Sequence, residues 1–187
     1  MNEEVELILM DTEDKMQRAL KHLESELSKI RAGRANVHML DGIVVNYYGT
    51  PTALAQISNV NIPDSRTLAI QPWEKNMIDP IEKAILAANI GLTPMNNGEI
   101  IRINIPMLTE DRRRDLVKRV KTEGEAGKVG IRNIRREGND QLKKLIKDGL
   151  SEDLEKDAEQ QVQDTTDKYI RLIDERLSAK EKDIMTI

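Results

Sequence analysis

Gly42-Ile43-Val44-Val45-Asn46-Tyr47-Tyr48-Gly49-Thr50-Pro51 is the stretch at which this chain stops reading as helix. It is rich in β-branched and aromatic residues, is bounded by glycines and runs into the turn former Thr50-Pro51, so it predicts a strand. What precedes it has a different period. Met16, Leu20, Leu23, Leu27 and Ile30 fall at alternating spacings of four and three, the inward seam of a helix packed against others of its kind. The first thirty residues therefore predict one long amphipathic helix, whose period is lost near Arg31.

Further short strands are predicted downstream: Ile57 to Ile62 before Pro63-Asp64-Ser65, Thr67 to Ile70 before Pro72, and the alternating Ile101, Ile103 and Ile105. Between them, Asp79 fits a helix N-cap, Pro80 the first helical position and Glu82 the capping-box partner three residues on. Ile81 and Ile85 would form the buried face of this helix, and Gly91 its left-handed stop. Residues 35–105 thus read as a compact unit of short strands and one helix, with the lone tryptophan, Trp73, as a rim or core residue rather than a ligand platform.

After Pro106 the helical period returns. Thr109 can cap a helix with Glu110 and Asp111 in its first turn, and Leu116, Val120, Ile131, Ile134, Leu142 and Leu145 carry a gapped seam. Gly149 closes it, and Ser151 opens a third helix with Ala158, Val162, Thr165, Tyr169, Leu172 and Ile184 inward. Gly124, Gly127, Gly130 and Gly138 lie inside the second helix, where each costs roughly 0.5–1 kcal/mol relative to alanine. Two shorter helices are the alternative; one helix is favoured because the seam keeps its phase across the glycines. A helix of about 38 residues would be about 57 Å long. The expected fold is α+β: a long three-helix bundle (residues 1–30 and 106–187) with a small β/α/β domain (residues 31–105) inserted between helices 1 and 2. A rod with a second body hinged to it predicts an L-shaped molecule.

The chain of 187 residues carries a formal net charge of −4, spread very unevenly. Residues 1–30 hold four Lys/Arg against eight Asp/Glu, and residues 151–187 hold six against eleven. Residues 112–136 hold ten against three, an excess of seven positive charges. A partner reads charge within a Debye length of about 8 Å at physiological salt, so this segment and not the whole-chain pI sets what binds. With 33% charged residues, no isolated apolar block and an acidic start, the composition predicts a cytoplasmic protein without a signal peptide or membrane span.

Catalytic and ligand chemistry finds little support. Cysteine is absent, which excludes disulfides, thiol catalysis and cysteine-based zinc sites. Neither His22 nor His38 has a second ligand at metal spacing, and no phosphate-binding glycine loop is present, so neither metal nor cofactor is expected. The carboxylates sit among Lys and Arg at i+3 and i+4, as solvated ion pairs do. The basic residues are more pointed. Lys121, Lys128, Arg132 and Arg135 are spaced seven, four and three, along one stripe of a helix, and Arg112, Arg113 and Arg114 crowd a helix N-terminus where the dipole disfavours cations. The bland alternative is a face exchanging ion pairs with the acidic first and third helices. Arginine forks suit phosphate, and with few aromatics for stacking the stripe points to the backbone and shape of folded RNA. Arg136 completes the basic run, and Arg31 and Arg34, flanking Gly33, would extend the surface.

Several blocks together resemble the ribosome recycling factor family. They are Ser28-Lys29-Ile30-Arg31-Ala32-Gly33-Arg34-Ala35, Leu40-Asp41-Gly42-Ile43-Val44-Val45 with Tyr47-Tyr48-Gly49-Thr50-Pro51, Asp64-Ser65-Arg66-Thr67-Leu68, Ile81-Glu82-Lys83-Ala84-Ile85, Leu108-Thr109-Glu110 with Arg112-Arg113, and Ile131-Arg132-Asn133-Ile134-Arg135-Arg136. The resemblance implies a three-helix bundle and a smaller domain joined by a flexible hinge, with hinge roles for the segments holding Gly33 and Pro106. It implies a non-enzymatic factor that binds the post-termination ribosome through large-subunit RNA, and whose subunits are then driven apart by elongation factor G with GTP. RNA contact is carried onto Arg31, Arg34, Arg112, Arg132 and Arg135. The four glycines of the second helix depart from the pattern. A monomer is expected, since charged outer faces leave no large apolar patch to pair. A helical chaperone would instead expose apolar grooves, and an enzyme would need convergent polar groups that residues 35–105 do not offer.

Overall fold

The computed structural model describes residues 3–30 and 32–186. Three long helices, α1 (Glu3–Ser28), α4 (Glu110–Lys147) and α5 (Glu152–Met185), make one compact unit. Gly33–Leu108 make the other, with β1 (Val44–Tyr47), β2 (Thr50–Ala53), α2 (Leu54–Ile57), β3 (Ser58–Asp64), β4 (Thr67–Pro72), α3 (Ile78–Ala87), β5 (Pro94–Asn96) and β6 (Ile101–Asn104).

Helix α4 runs unbroken through 38 residues, and its glycines explain themselves. Gly124 and Gly138 are buried and Gly127 half-buried, filling the gaps of the seam between Val120, Ile131 and Leu142. A β-carbon on Gly124 would overlap the methyls of Leu177 on α5. One on Gly138 would stand 2.8 Å from Thr12 Oγ1 on α1, and one on Gly127 3.2 Å from Leu23 Cδ2. These positions are therefore close-approach contacts, where neighbouring side chains occupy the volume a side chain would need. Burial of the seam outweighs the helix propensity lost. The ends are capped as the residues suggest: Thr109 Oγ1 accepts the Arg112 amide at 3.2 Å and Ser151 Oγ that of Leu154 at 3.3 Å. Between α4 and α5 the chain turns at Gly149, φ +101°, with Leu150 N–H donating to Leu145 O at 3.0 Å.

The seam of α5 differs by one residue from the predicted one in two places. Thr166 and Ile173 are the buried residues and Thr165 and Leu172 flank them half-buried, because the run 158, 162, 166 takes two successive steps of four. Thr166 can be buried since its hydroxyl donates to Val162 O at 2.7 Å. On α4, Ile134 and Leu145 are likewise half-buried flanks.

In the second unit, β3, β4, β6 and β5 form an antiparallel sheet in that order, and β1 and β2 form a separate hairpin. The hairpin turns at Tyr48-Gly49 and not at Thr50-Pro51, which belong to β2. Tyr48 and Gly49 both have positive φ, +48° and +84°, the backbone of the two-residue turn that matches strand twist. Asn46 Oδ1 accepts the Gly49 amide at 2.8 Å, and Glu74 accepts the hydroxyls of Tyr47 and Tyr48 at 2.6 and 2.7 Å. Strand β5 and the single turn α2 were not predicted; each is too short for a period to register. Helix α3 begins at Ile78, one residue before Asp79, without a side-chain cap, because a 3₁₀ turn at Lys75–Met77 leads straight into it. Glu82 does not complete a capping box but accepts from Asn96 Nδ2. Ile81 and Ile85 are fully buried on Leu68, Ile70, Ile101 and Ile103 of the sheet. Trp73 is 70% exposed and so is not a core residue.

The glycine contacts generate opposite expectations at sites alike in sequence. Gly124→Ala and Gly138→Ala should each destabilise by about 1–3 kcal/mol through overpacking. Gly130→Ala, which has nothing within 4 Å of its β-carbon, should stabilise by about 0.5–1 kcal/mol through helix propensity. Urea midpoints of the three variants check this, and stabilisation by all three would contradict close approach.

Candidate nucleic-acid interface

Because α4 is continuous, its surface register can be read along its length. Arg114, Lys118, Lys121, Glu125, Lys128, Arg132 and Arg136 succeed one another at steps of four or three and therefore share one face. Six of the seven are cations. What distinguishes them is how each charge is used. Arg114 is held by Glu110 at 2.6 Å. The Lys128 side chain, 18% exposed, is tied to Asp174 of α5 at 2.6 Å. Lys118, Lys121, Arg132 and Arg136 are exposed, and their side chains have no hydrogen-bond or ion-pair partner among the described residues.

The other sequence-predicted residues fall elsewhere. Arg135 is half-buried and donates to Gln163 Oε1 on α5 at 3.3 Å. Arg112 is exposed on the first turn of α4, and Arg113 beside it is half-buried with its Nε unpartnered. Arg34 is exposed in the second unit, and Arg31 lies outside the described residues. Gly33 has φ +74° and would bring a β-carbon within 2.8 Å of Leu108 Cγ, while Pro106 is exposed just beyond β6. Lys118 was missed, although its spacing of three from Lys121 is the same signal that marked the rest of the stripe.

The acidic helices neutralise this face at Lys128, through Asp174, and other ion pairs lie at other seams. Lys15 of α1 meets Glu137 of α4 at 2.6 Å; Lys168 and Arg176 of α5 meet Glu13 and Glu24 of α1 at 2.9 and 2.7 Å. Such exposed pairs contribute little to stability, so their consequence is the distribution of charge. The bundle also buries one carboxyl. Glu155 is 5% exposed, and burial, then the neighbouring Glu159, pushes its carboxyl above the ordinary value.

Among the described residues no cluster of His, Asp and Glu could hold a metal ion, and no helix is long and apolar enough to cross a membrane. A cleft of about 450 Å³ between the C-terminal halves of α1 and α5 is lined by Glu24, Leu27, Ser28, Arg176, Ala179, Lys180 and Asp183. Its Glu24 and Arg176 are paired with each other, and burial pushes the Lys180 amine down.

Fold and surface together present a cationic helix face on a three-helix bundle, suited to an anionic partner. Comparison with known proteins gives the family. The sequence profile described as "Ribosome recycling factor" matches residues 23–185. The ribosome-recycling factor of Flavobacterium johnsoniae is 54% identical over 187 residues, the whole of both chains, and that of Cytophaga hutchinsonii 55% identical over 185 residues, 99% of this chain and 100% of that one. A solution structure of a ribosome recycling factor superposes with a TM-score of 0.81 at 36% identity, covering 100% of both chains. A second match, titled as the Thermus thermophilus recycling factor and Escherichia coli elongation factor G bound to the E. coli post-termination complex, has a TM-score of 0.64 at 45% identity, covering 97% of this chain and 99% of that one. This chain belongs to the ribosome recycling factor family.

The buried carboxyl sets a pH dependence of definite sign. A folded pKa above the ordinary 4.5 means stability is fully present below that value and is lost as pH rises through the folded pKa. Glu155→Gln should therefore raise the urea midpoint at neutral pH and leave it little changed near pH 4. A variant less stable than the parent at neutral pH would contradict the assignment.

Proposed function

We propose that this chain is a ribosome recycling factor: it binds the post-termination ribosome and, with elongation factor G and GTP, promotes its separation into subunits and release from mRNA. The observation that carries the reading is the row of four exposed, unpaired cations on α4, in a chain 54% identical end to end to a ribosome-recycling factor. Phosphate is the ligand such a row suits. Cations held in helical register release counterions when they meet a nucleic-acid backbone. The protein supplies shape and charge and performs no covalent chemistry, and GTP belongs to the partner.

On this reading the sequence-predicted residues take different roles. Lys121, Arg132 and Arg136, joined by Lys118, meet large-subunit RNA directly. Lys128 and Arg135, turned toward α5, are positioned by Asp174 and Gln163 and contribute mainly to the field of the surface. Arg112 and Arg113 extend the surface at the start of α4, and RNA contact is proposed for Arg31 and Arg34 as well. Gly33 and Pro106, in the two connections between the units, serve as the hinge. The protein acts in the cytoplasm as a monomer.

Arg132→Ala and Lys121→Ala should each weaken binding to ribosomes roughly fivefold and lower the log-log salt slope by up to about one unit, with stability unchanged within about 0.5 kcal/mol. Lys168→Ala, which removes a cation already paired with Glu13, should leave the slope as it is. Cosedimentation across a salt series reads both, and equal slopes for Arg132→Ala and the parent would refute the phosphate contact.

A further inference from the structure

Lys180 takes no part in the cationic row of α4. It lies near the end of α5 and lines the cleft of about 450 Å³ between α1 and α5. The other lysines among the described residues are exposed, with two exceptions that are each tied to a carboxylate. Lys15 is held by Glu137 and Lys128 by Asp174, both at 2.6 Å. Lys180 alone among the described residues is a half-buried lysine whose amine has no hydrogen-bond or ion-pair partner. The charged groups that line the cleft with it are Glu24 of α1 and Arg176 and Asp183 of α5. Glu24 is already paired with Arg176 at 2.7 Å, and the charge of Asp183, one turn on, favours the ammonium without offsetting its burial.

We propose that Lys180 is a modification site, its ε-amine accepting an acyl group from a small activated donor, an acyl phosphate or an acyl thioester, that enters the cleft. Three features of the site converge on this chemistry. An amine without a carboxylate partner has no ion pair to break before it reacts. Leu27 and Ala179 give the cleft an apolar wall against which the alkyl part of an acyl group can rest. Burial favours the neutral amine, which is the nucleophilic form, whereas an ammonium in water keeps its proton at neutral pH. In the step itself the ammonium first releases a proton to solvent, and the nitrogen attacks the carbonyl carbon of the donor. The N–C bond forms, the bond from that carbon to the phosphate oxygen or thioester sulfur breaks with its electron pair on the leaving group, and the nitrogen loses a second proton to solvent. Nothing is oxidised or reduced. The product amide is uncharged, so the lining passes from two cations facing two carboxylates to one cation facing two, and the cost of burying an ammonium is removed.

The test uses the full, unmodified chain, incubated at neutral pH with acetyl phosphate in one arm and acetyl-coenzyme A in the other, with the occupancy of each lysine followed by tandem mass spectrometry. In at least one arm Lys180 should be acetylated at least about fivefold faster than Lys182, an exposed lysine on the same helix, and the arm that labels it identifies the class of donor. Across a pH series the Lys180 rate should level off below the ordinary lysine value of 10.5, since it follows the neutral amine. Ala179→Phe, at an exposed position on the cleft wall, fills the cleft and should bring the Lys180 rate down to that of Lys182. Labelling of Lys180 no faster than Lys182 in both arms overturns the proposal, and so does an excess that survives intact in Ala179→Phe with the parent's helical content. Because the isolated chain is used, the result does not depend on the recycling-factor reading.

Discussion

The closeness of α4 to its neighbours is the constraint on which the bundle depends. At Gly124, Gly127 and Gly138 the space a β-carbon would need is already taken by Leu177, Leu23 and Thr12. Side chains seated against these glycines would meet a clash or a void if α4 slid or rotated by one residue, which favours the observed rotational setting of α4. That setting turns Leu116, Val120, Ile131 and Leu142 inward and sends Lys118, Lys121, Arg132 and Arg136 outward. The residues that cost helix propensity are thus ones that help hold the cationic face in register.

Charge follows from the same packing. A chain with net charge −4 presents a cationic face because residues 112–136 hold ten Lys/Arg against three Asp/Glu, while Lys15, Lys168, Arg176 and Lys128 pair with Glu137, Glu13, Glu24 and Asp174. Each pair contributes little to stability in water. Lys118, Lys121, Arg132 and Arg136 take no part in these pairs, and a nucleic-acid backbone within a Debye length senses their charge. Buried Glu155, by contrast, is a carboxyl the bundle holds at a cost in stability once it ionises.

Much of this was legible in the sequence where a period ran long enough to be read. The seam of α1, the caps Thr109 and Ser151 and the strand alternation at Ile101 and Ile103 all follow from spacing and residue type, because each rests on many residues agreeing or on one side chain bonding locally. The features that escaped depend on tertiary context. A gap in a seam looks the same whether the helix breaks there or a neighbour fills it, so the glycines were ambiguous. Asp79 has the chemistry of a cap but lies inside α3, since the preceding 3₁₀ turn already supplies helical backbone. Pro51 signals a turn, yet Tyr48 and Gly49 take the positive φ values the hairpin needs. Within the stripe, residue type could not tell Lys128 and Arg135, engaged by α5, from Lys121 and Arg132, which are not.

The central claim is that the unpaired cations of α4 act on the ribosome and not on the fold. It is tested most directly by the combined variant Lys118→Gln, Lys121→Gln, Arg132→Gln and Arg136→Gln, followed by light scattering of post-termination ribosomes with elongation factor G and GTP. The account predicts a chain with the parent's helical content and melting behaviour that no longer binds or splits ribosomes. A folded variant that splits them at the parent's rate would contradict it.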